Sequence, residues 1–239
     1  AKETNADLIL ANDPDADRLA VCIGTKALSG NEIGILLGNY LIENNTLNKA
    51  LVMTTLVSSR MLSKIAAKNN TSYAETLTGF ANISHMALER EKKFGEEFLF
   101  GYEEALGYCV GRQVRDKDGI SAAVLFAQLF ADLKSKNKTV FDELDKLAII
   151  YGLHRNLQWS IRTTSKNILD YEKNLSSLVK QKSPAPGLLL YTGEHNLRLI
   201  IRPSGTEPKI KFYAEVVGAP KEKQELDLFL ASLKRLLDV

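Results

Sequence analysis

Apolar positions along the chain follow two rhythms. Leu8-Ile9-Leu10-Ala11 and Leu19-Ala20-Val21-Cys22-Ile23 are short apolar runs bounded by polar residues, the signature of two strands. Ile33, Leu36, Leu37, Tyr40 and Leu41 then recur at i, i+3, i+4, i+7 and i+8 and predict a helix with one buried face. Ser29 and Glu32 are spaced for a capping box at its start, with Asn31 as an alternative cap. A strand over 49–55 follows, then a helix through Met61, Leu62, Ile65 and Ala66 that Ser58 or Ser59 can cap, and a short strand over 72–76. Thr78-Gly79-Phe80 reads as a turn into a helix carrying Ile83, Met86, Ala87 and Arg90. Residues 97–101 form the next strand, followed by a loop rich in charge and glycine, and helices are expected over 119–133 and 141–150.

This βαβα rhythm with short connections predicts a mostly parallel sheet covered by helices, with ligand groups at the carboxyl ends of strands. Pro184-Ala185-Pro186-Gly187 is the strongest punctuation in the chain. Before it, Ile168, Tyr171, Leu175 and Leu178 mark an amphipathic helix; after it the period changes to two. Leu197, Leu199 and Ile201, then Ile210, Phe212, Ala214 and Val216, each line one face of a strand, and residues 221–237 read as a closing helix with Leu226, Phe229, Leu230, Leu233 and Leu237 inward. The expected class is α/β: a mixed, mostly parallel three-layer α/β domain, plus a smaller α+β domain with an antiparallel sheet over 151–239.

The 239 residues suffice for a substantial core, and 45% apolar with 25% charged residues describes a folded globular chain. A net charge of +2, from 31 basic and 29 acidic side chains, selects neither nucleic acid nor an anionic membrane as partner. No apolar run approaches the roughly 20 residues that span a bilayer. Two cysteines, Cys22 and Cys109, in apolar surroundings give no disulfide framework and fit buried thiols of a cytoplasmic protein. The opening residues 1–7 read like a helix end running straight into a strand with no initiating Met, so the chain is expected to be a fragment.

Four stretches carry candidate chemistry. In Asn12-Asp13-Pro14-Asp15-Ala16-Asp17-Arg18, three carboxylates alternate between two strands, and a hard cation such as Mg²⁺ would relieve their repulsion while leaving positions open for phosphate. Arg18 can pair with one of them or offer its donor fork to phosphate, and an acidic turn with a surface Arg is the plain alternative. Arg202-Pro203-Ser204-Gly205-Thr206-Glu207-Pro208-Lys209 lies between two strands and offers a guanidinium, two hydroxyls, a flexible amide and a lysine, suited to a tetrahedral anion or to an ordinary polar hairpin. Glu207 would orient that loop rather than touch the anion. Glu103 and Glu104 at a strand end can accept hydrogen bonds from vicinal sugar hydroxyls, though paired glutamates commonly face solvent. In Arg115-Asp116-Lys117-Asp118-Gly119, Arg115 and Lys117 are candidate phosphate contacts and Asp118 a substrate contact or a helix N-cap. His85, His154 and His195 have no partners at zinc-ligand spacing, and no serine sits in a nucleophile elbow or P-loop.

Taken together in this order, the 12–18 stretch, Thr78-Gly79-Phe80, Gly101-Tyr102-Glu103-Glu104-Ala105-Leu106-Gly107-Tyr108, Asp116-Lys117-Asp118-Gly119 and the 202–209 stretch resemble the phosphohexomutase superfamily. They look most like its branch with phosphopentomutase and glucose bisphosphate synthase activities. That resemblance implies residues 1–28 as the tail of a second domain carrying the metal loop, 29–150 as a third domain with the sugar loop, and 151–239 as a shortened fourth domain with the phosphate loop. It implies Mg²⁺ on Asp13, Asp15 and Asp17 with Arg18 in support, sugar hydroxyls on Glu103 and Glu104, and the non-reacting phosphate on Arg202, Ser204, Gly205, Thr206 and Lys209. It further implies a hexose or pentose phosphate as substrate, a sugar bisphosphate as intermediate and activator, closure of the fourth domain to exclude water, and a phosphoserine in an upstream domain, in cis or as a separate chain.

This chain departs from the pattern in three places. Nothing matches the serine loop, because Ser84-His85 falls inside a predicted helix; Ala81 follows Thr-Gly-Phe where many members have Lys; and the stretch between Trp159 and Pro184 is short. The isolated chain is therefore expected to be inactive as a mutase. Two alternatives stand beside that reading: a degenerate, non-catalytic sugar-phosphate binding or interaction module, and, less favoured, a metal-dependent phosphatase with Asp13 as nucleophile.

Overall fold

The computed structural model describes residues 3–163, 171, 175–205 and 207–237. It is an α/β protein whose chain divides into two compact units, residues 1–146 and 147–239.

The first unit opens on an antiparallel hairpin, β1 (Leu8–Ala11) and β2 (Ala20–Ile23), extended by the two-residue β3 (Lys26–Ala27). Then come α1 (Gly30–Asn44), β4 (Ala50–Thr55), α2 (Met61–Lys68), β5 (Ser72–Thr76), α3 (Phe80–Phe94), β6 (Glu97–Glu103), β7 (Gly107–Val110), α4 (Gly119–Ser135) and α5 (Val140–Tyr151). The four-stranded sheet runs β5-β4-β6-β7; β4 is parallel to β5 and β6, and β7 turns back antiparallel on β6. All six residues of β4 are buried, as a central strand covered on both faces requires. On one face Ile83 and Ala87 of α3 join Leu51, Met53, Ala74 and Phe98 in a core cluster.

On the other face α1 lies unusually close to β6. A Cβ on Gly34 would stand 2.5 Å from the Tyr102 ring, so only glycine admits this approach. The α1 capping box forms as its spacing predicts: Glu32 N–H donates to Ser29 Oγ at 3.2 Å, and Ser29 N–H donates to Glu32 Oε2 at 2.7 Å. At the start of α2, Arg60 holds the N-cap position without a side-chain capping bond, and the buried Ser59 serves the helix start instead, its Oγ accepting from Met61 N–H at 3.3 Å. The strand at 97–101 also runs on to Glu103 and returns at Gly107, so the expected open loop is a short hairpin in which Leu106 takes a left-handed φ of 67°.

The second unit holds a five-stranded antiparallel sheet in the order β8-β12-β11-β10-β9, where β8 is Leu153–Arg162, β9 Val179–Lys180, β10 Leu189–Gly193, β11 Leu197–Pro203 and β12 Lys209–Gly218. The two strands expected on either side of the 202–209 stretch are β11 and β12. Helix α6 (Lys223–Leu237), entered through a short 3-10 turn at Pro220–Glu222, lays Leu226, Leu230, Leu233 and Leu237 on one face of the sheet. Trp159 stacks on Phe212 there, with ring centroids 4.9 Å apart. The amphipathic helix expected around Ile168 lies mostly outside the described residues. Among the described residues, no helix is long and apolar enough to cross a membrane.

Candidate functional site

In the first unit, tight backbone contacts gather four of the sequence motifs. Asp13 shapes the acidic turn: its carbonyl accepts from Ala16 N–H at 2.9 Å and its Oδ1 from Arg18 N–H at 3.2 Å, with Ala16 left-handed at φ 56°. Arg18 Nε lies 3.9 Å from Asp13 Oδ2 and 3.9 Å from Asp17 Oδ1, at the outer limit of ion pairing. Asp15 stands exposed at the tip. Asp17 receives Lys117 Nζ on Oδ2 at 2.8 Å, while its Oδ1 is buried with no hydrogen-bond donor. The Lys117 hydrogen bond holds the Asp17 carboxyl below its ordinary range against the effect of burial. Burial works against the Lys117 charge too, but its bonds to Asp17 and Asp116 outweigh that and raise its pKa.

This turn docks on the Glu103-Glu104 hairpin and on the start of α4. Leu19 N–H donates to the Leu106 carbonyl at 3.1 Å, Arg18 bridges to Gly107, and Gly119 N–H donates to the Ala16 carbonyl at 3.0 Å. A Cβ on Gly119 would collide with the Arg18 carbonyl oxygen and the Asn12 side chain, so the contact needs glycine. Asp118 is the N-cap of α4, its Oδ1 accepting from Ile120 N–H at 3.0 Å and Ser121 N–H at 3.1 Å. Arg115, left-handed at φ 57°, pairs with Glu91 of α3 at 2.9 Å, which leaves its guanidinium engaged with the fold.

Glu103 closes β6, and its Oε1 accepts from Gly79 N–H at 2.8 Å, which ties the Thr78-Gly79-Phe80 turn to the carboxylate pair. Glu104 follows at the hairpin tip, where its N–H donates to Ser58 Oγ at 3.1 Å. Beneath them Tyr102 and Tyr108 stack with centroids 6.4 Å apart, their hydroxyls reaching Asn31 Oδ1 at 3.4 Å and the Gly30 carbonyl at 3.3 Å. Asn31 Oδ1 also accepts from Ser59 N–H at 2.8 Å. Sequence reading missed this supporting layer of Asn31, Ser58 and Ser59. Its one visible signal was an asparagine and two serines at strand and helix ends, read there only as caps.

The phosphate-loop candidates lie in the second unit, between β11 and β12. Ser204 N–H donates to the Lys209 carbonyl at 2.8 Å, and Ser204 is buried while a Cβ on Gly205 would meet open space among the described residues. Glu207 Oε2 meets Lys209 Nζ at 2.5 Å, and that contact holds the Glu207 carboxyl below its usual range. Arg202 Nη2 donates to the Tyr213 hydroxyl at 3.1 Å, and its Nε is buried with no acceptor among the described residues. Thr206 lies outside the described residues.

A divalent ion would find oxygen donors of the right chemistry on the acidic turn, including the donorless Asp17 Oδ1. Among the described residues, however, no three His, Cys, Asp or Glu side chains are already gathered around one point.

Two family models match this chain. Residues 29–148 match the phosphoglucomutase/phosphomannomutase alpha/beta/alpha domain III, and residues 172–232 match the C-terminal domain of the same family. The chain belongs to the phosphoglucomutase/phosphomannomutase family. It is 39% identical to a probable phosphomannomutase of Haemophilus influenzae over 97% of its own length and 50% of that protein's. It is 31% identical to a phosphopentomutase of Mus musculus over 98% of its length and 46% of that relative's. Among solved structures it is similar to parafusin, a phosphoglucomutase from Paramecium in an open form, with TM-score 0.72, 20% identity and coverage of 99% of this chain and 46% of that one. The chain thus spans about half the length of the relatives it matches.

Proposed function

We propose that this chain provides the metal-, sugar- and phosphate-binding parts of a phosphosugar mutase, which moves a phosphoryl group between the 1-position and the 6- or 5-position of a hexose or pentose. The observation that carries the reading is a pair of unmet demands within family motifs: a buried acceptor on Asp17 in the acidic turn, and a buried donor on Arg202 in the hairpin. A buried polar atom without a partner costs about 1–3 kcal/mol, and a cation at the first and a phosphate oxygen at the second would relieve both.

In this reading residues 1–28 are the end of a second domain, 29–150 a third and 151–239 a fourth, and the phosphoserine lies in the part of the family that this chain does not span. Asp13, Asp15 and Asp17 would hold Mg²⁺, which would supply Lewis-acid stabilisation of phosphoryl oxygens when bound. Lys117, now paired with Asp17 at 2.8 Å, adds a fixed positive charge beside that turn. Glu103, oriented by the Gly79 amide, and Glu104, on the hairpin anchored by Ser58, accept from sugar hydroxyls. Arg202, Ser204, Gly205, Thr206 and Lys209 hold the phosphate that does not react, with Glu207 fixing Lys209. A sugar bisphosphate is the activating ligand.

A second reading, a non-catalytic sugar-phosphate module, draws on Ala81 after Thr-Gly-Phe, where a lysine would place a cation. A coupled mutase assay with a catalytic amount of sugar bisphosphate separates the two. The chain joined to the amino-terminal half of the Haemophilus relative is expected to turn over, and Arg202→Ala to slow it at least tenfold. Binding of sugar phosphate without turnover in that fusion would favour the second reading, and turnover by the 239 residues alone would contradict the placement of the phosphoserine elsewhere.

A further inference from the structure

Helices α1, α4 and α5 enclose a polar cavity of about 290 Å³ within the first unit, lined by side chains that none of the family motifs includes. Its volume sits at the small end of ligand pockets, which run about 300–1,000 Å³. Asn39, 3% exposed, lines it; among the described residues its Oδ1 is buried with no donor, and its Nδ2 makes a long bond of 3.5 Å to Glu143 Oε1. The acids around it are largely spoken for. Glu143 takes Lys146 at 2.7 Å, Lys146 also reaches Glu43 at 3.5 Å, and Asp132 accepts from the Tyr40 hydroxyl. Lys136, at the end of α4, and Lys138 line the same cavity as exposed side chains, and neither belongs to an ion pair among the described residues.

Two exposed lysines outside any close ion pair among the described residues, of which Lys138 also acts at longer range on Asp142, and a buried carbonyl oxygen in want of a donor define complementary demands. The first calls for an anion, the second for a hydroxyl or amine hydrogen. A bare inorganic ion near the lysines would leave the Asn39 oxygen unsatisfied, and a neutral polyol would leave the lysines without a counter-charge. We infer that this α1–α4–α5 cavity is a second binding site, separate from the phosphosugar loops, for a small hydroxylated organic anion. The anionic end meets Lys136 and Lys138, and a hydroxyl donates to Asn39 Oδ1.

The inference stands independently of the mutase reading and is tested on the full chain by NMR titration with 3-phosphoglycerate, using sulfate as an anion without a carbon-borne hydroxyl. Saturable shifts at the Asn39 side-chain amide and the Lys138 backbone amide are expected for 3-phosphoglycerate. Lys136→Ala combined with Lys138→Ala should weaken it at least tenfold with an unchanged melting temperature. Asn39→Leu, or Asn39→Asp should the leucine variant not fold, should weaken 3-phosphoglycerate several-fold more than sulfate. Equal affinity in the double-lysine variant, or shifts confined to residues 202–209, would overturn the proposal. Arg202→Ala abolishing all binding would likewise show that the probe uses the phosphate hairpin alone.

Discussion

The three aspartates of the acidic turn look equivalent in sequence and are not equivalent in the fold. Asp13 builds the turn, Asp17 is pinned by Lys117, and Asp15 is exposed at the tip. Asp15→Asn is therefore expected to change stability by less than about 0.5 kcal/mol while lowering Mg²⁺ affinity. Asp17→Asn should cost up to about 1 kcal/mol through the part-exposed Lys117 pair as well. Urea denaturation beside calorimetric Mg²⁺ titration reads both, and an Asp15→Asn protein with unchanged Mg²⁺ affinity would remove Asp15 from the ligand set. This division of labour was not legible from spacing. Alternating carboxylates announce a charge cluster, but which oxygen the backbone consumes depends on Ala16 turning left-handed and on a lysine 100 residues away in sequence. Arg115 shows the same limit: the sequence displays a cation and only the fold reveals Glu91 as its partner, whereas the N-cap role that the sequence offered for Asp118 is the one it takes at α4.

At the level of elements, strong periodicity was readable and inward-facing polar residues were not. Helix α1 with its capping box, and the core-facing positions of β11 and β12, follow directly from residue spacing, although α1 is buried nearly all round, Ile35 and Asn39 included, and Tyr40 and Leu41 of the expected stripe are only partly covered. Strand β8 went unread although Leu157, Trp159 and Ile161 alternate, because His154, Arg155 and Asn156 blur the pattern and its full ten-residue pairing with β12 is a long-range fact. Close packing yields a sharp expectation: Gly34→Ala forces a methyl into the Tyr102 ring and should destabilise the first unit by about 1–3 kcal/mol, measured by urea unfolding; a neutral result would mean α1 can slide on β6. The pairing of α3 with the start of β6 yields another. Arg90 donates to Glu96 through Nε at 2.5 Å and Nη2 at 2.7 Å, and this fork holds the largely buried Glu96 carboxyl below its ordinary value. A depressed carboxylate contributes stability above its unfolded pKa and loses it as pH falls through the folded one. Glu96→Gln should therefore cost about 1.5–3 kcal/mol near neutrality, and the difference from the parent should shrink as the pH drops below about 4. A pH-independent difference would refute the ion pair as its source.

For the molecule as a whole, the family and the α/β class were legible because several motifs occur in one order, and each motif sits where chain topology delivers loops. The acidic turn, the Gly79 turn, the glutamate hairpin and the start of α4 meet in the first unit through backbone hydrogen bonds and one obligate glycine, Gly119. The phosphate candidates occupy a hairpin of the second unit whose Arg202 Nε is left without an acceptor. The polar cavity at the far end of α1 gave no sequence signal, since Asn39, Lys136 and Lys138 come from separate elements and belong to no motif. The central claim is that this chain recognises a phosphosugar through its glutamate pair and its Arg202 hairpin. Its most direct test is calorimetric titration of the full chain with glucose 6-phosphate and ribose 5-phosphate, in parallel with Arg202→Ala and with Glu103→Gln combined with Glu104→Gln. Saturable binding of at least one sugar phosphate, weakened tenfold or more by either change, is the predicted result; binding that survives both changes intact, or none at all, would contradict it.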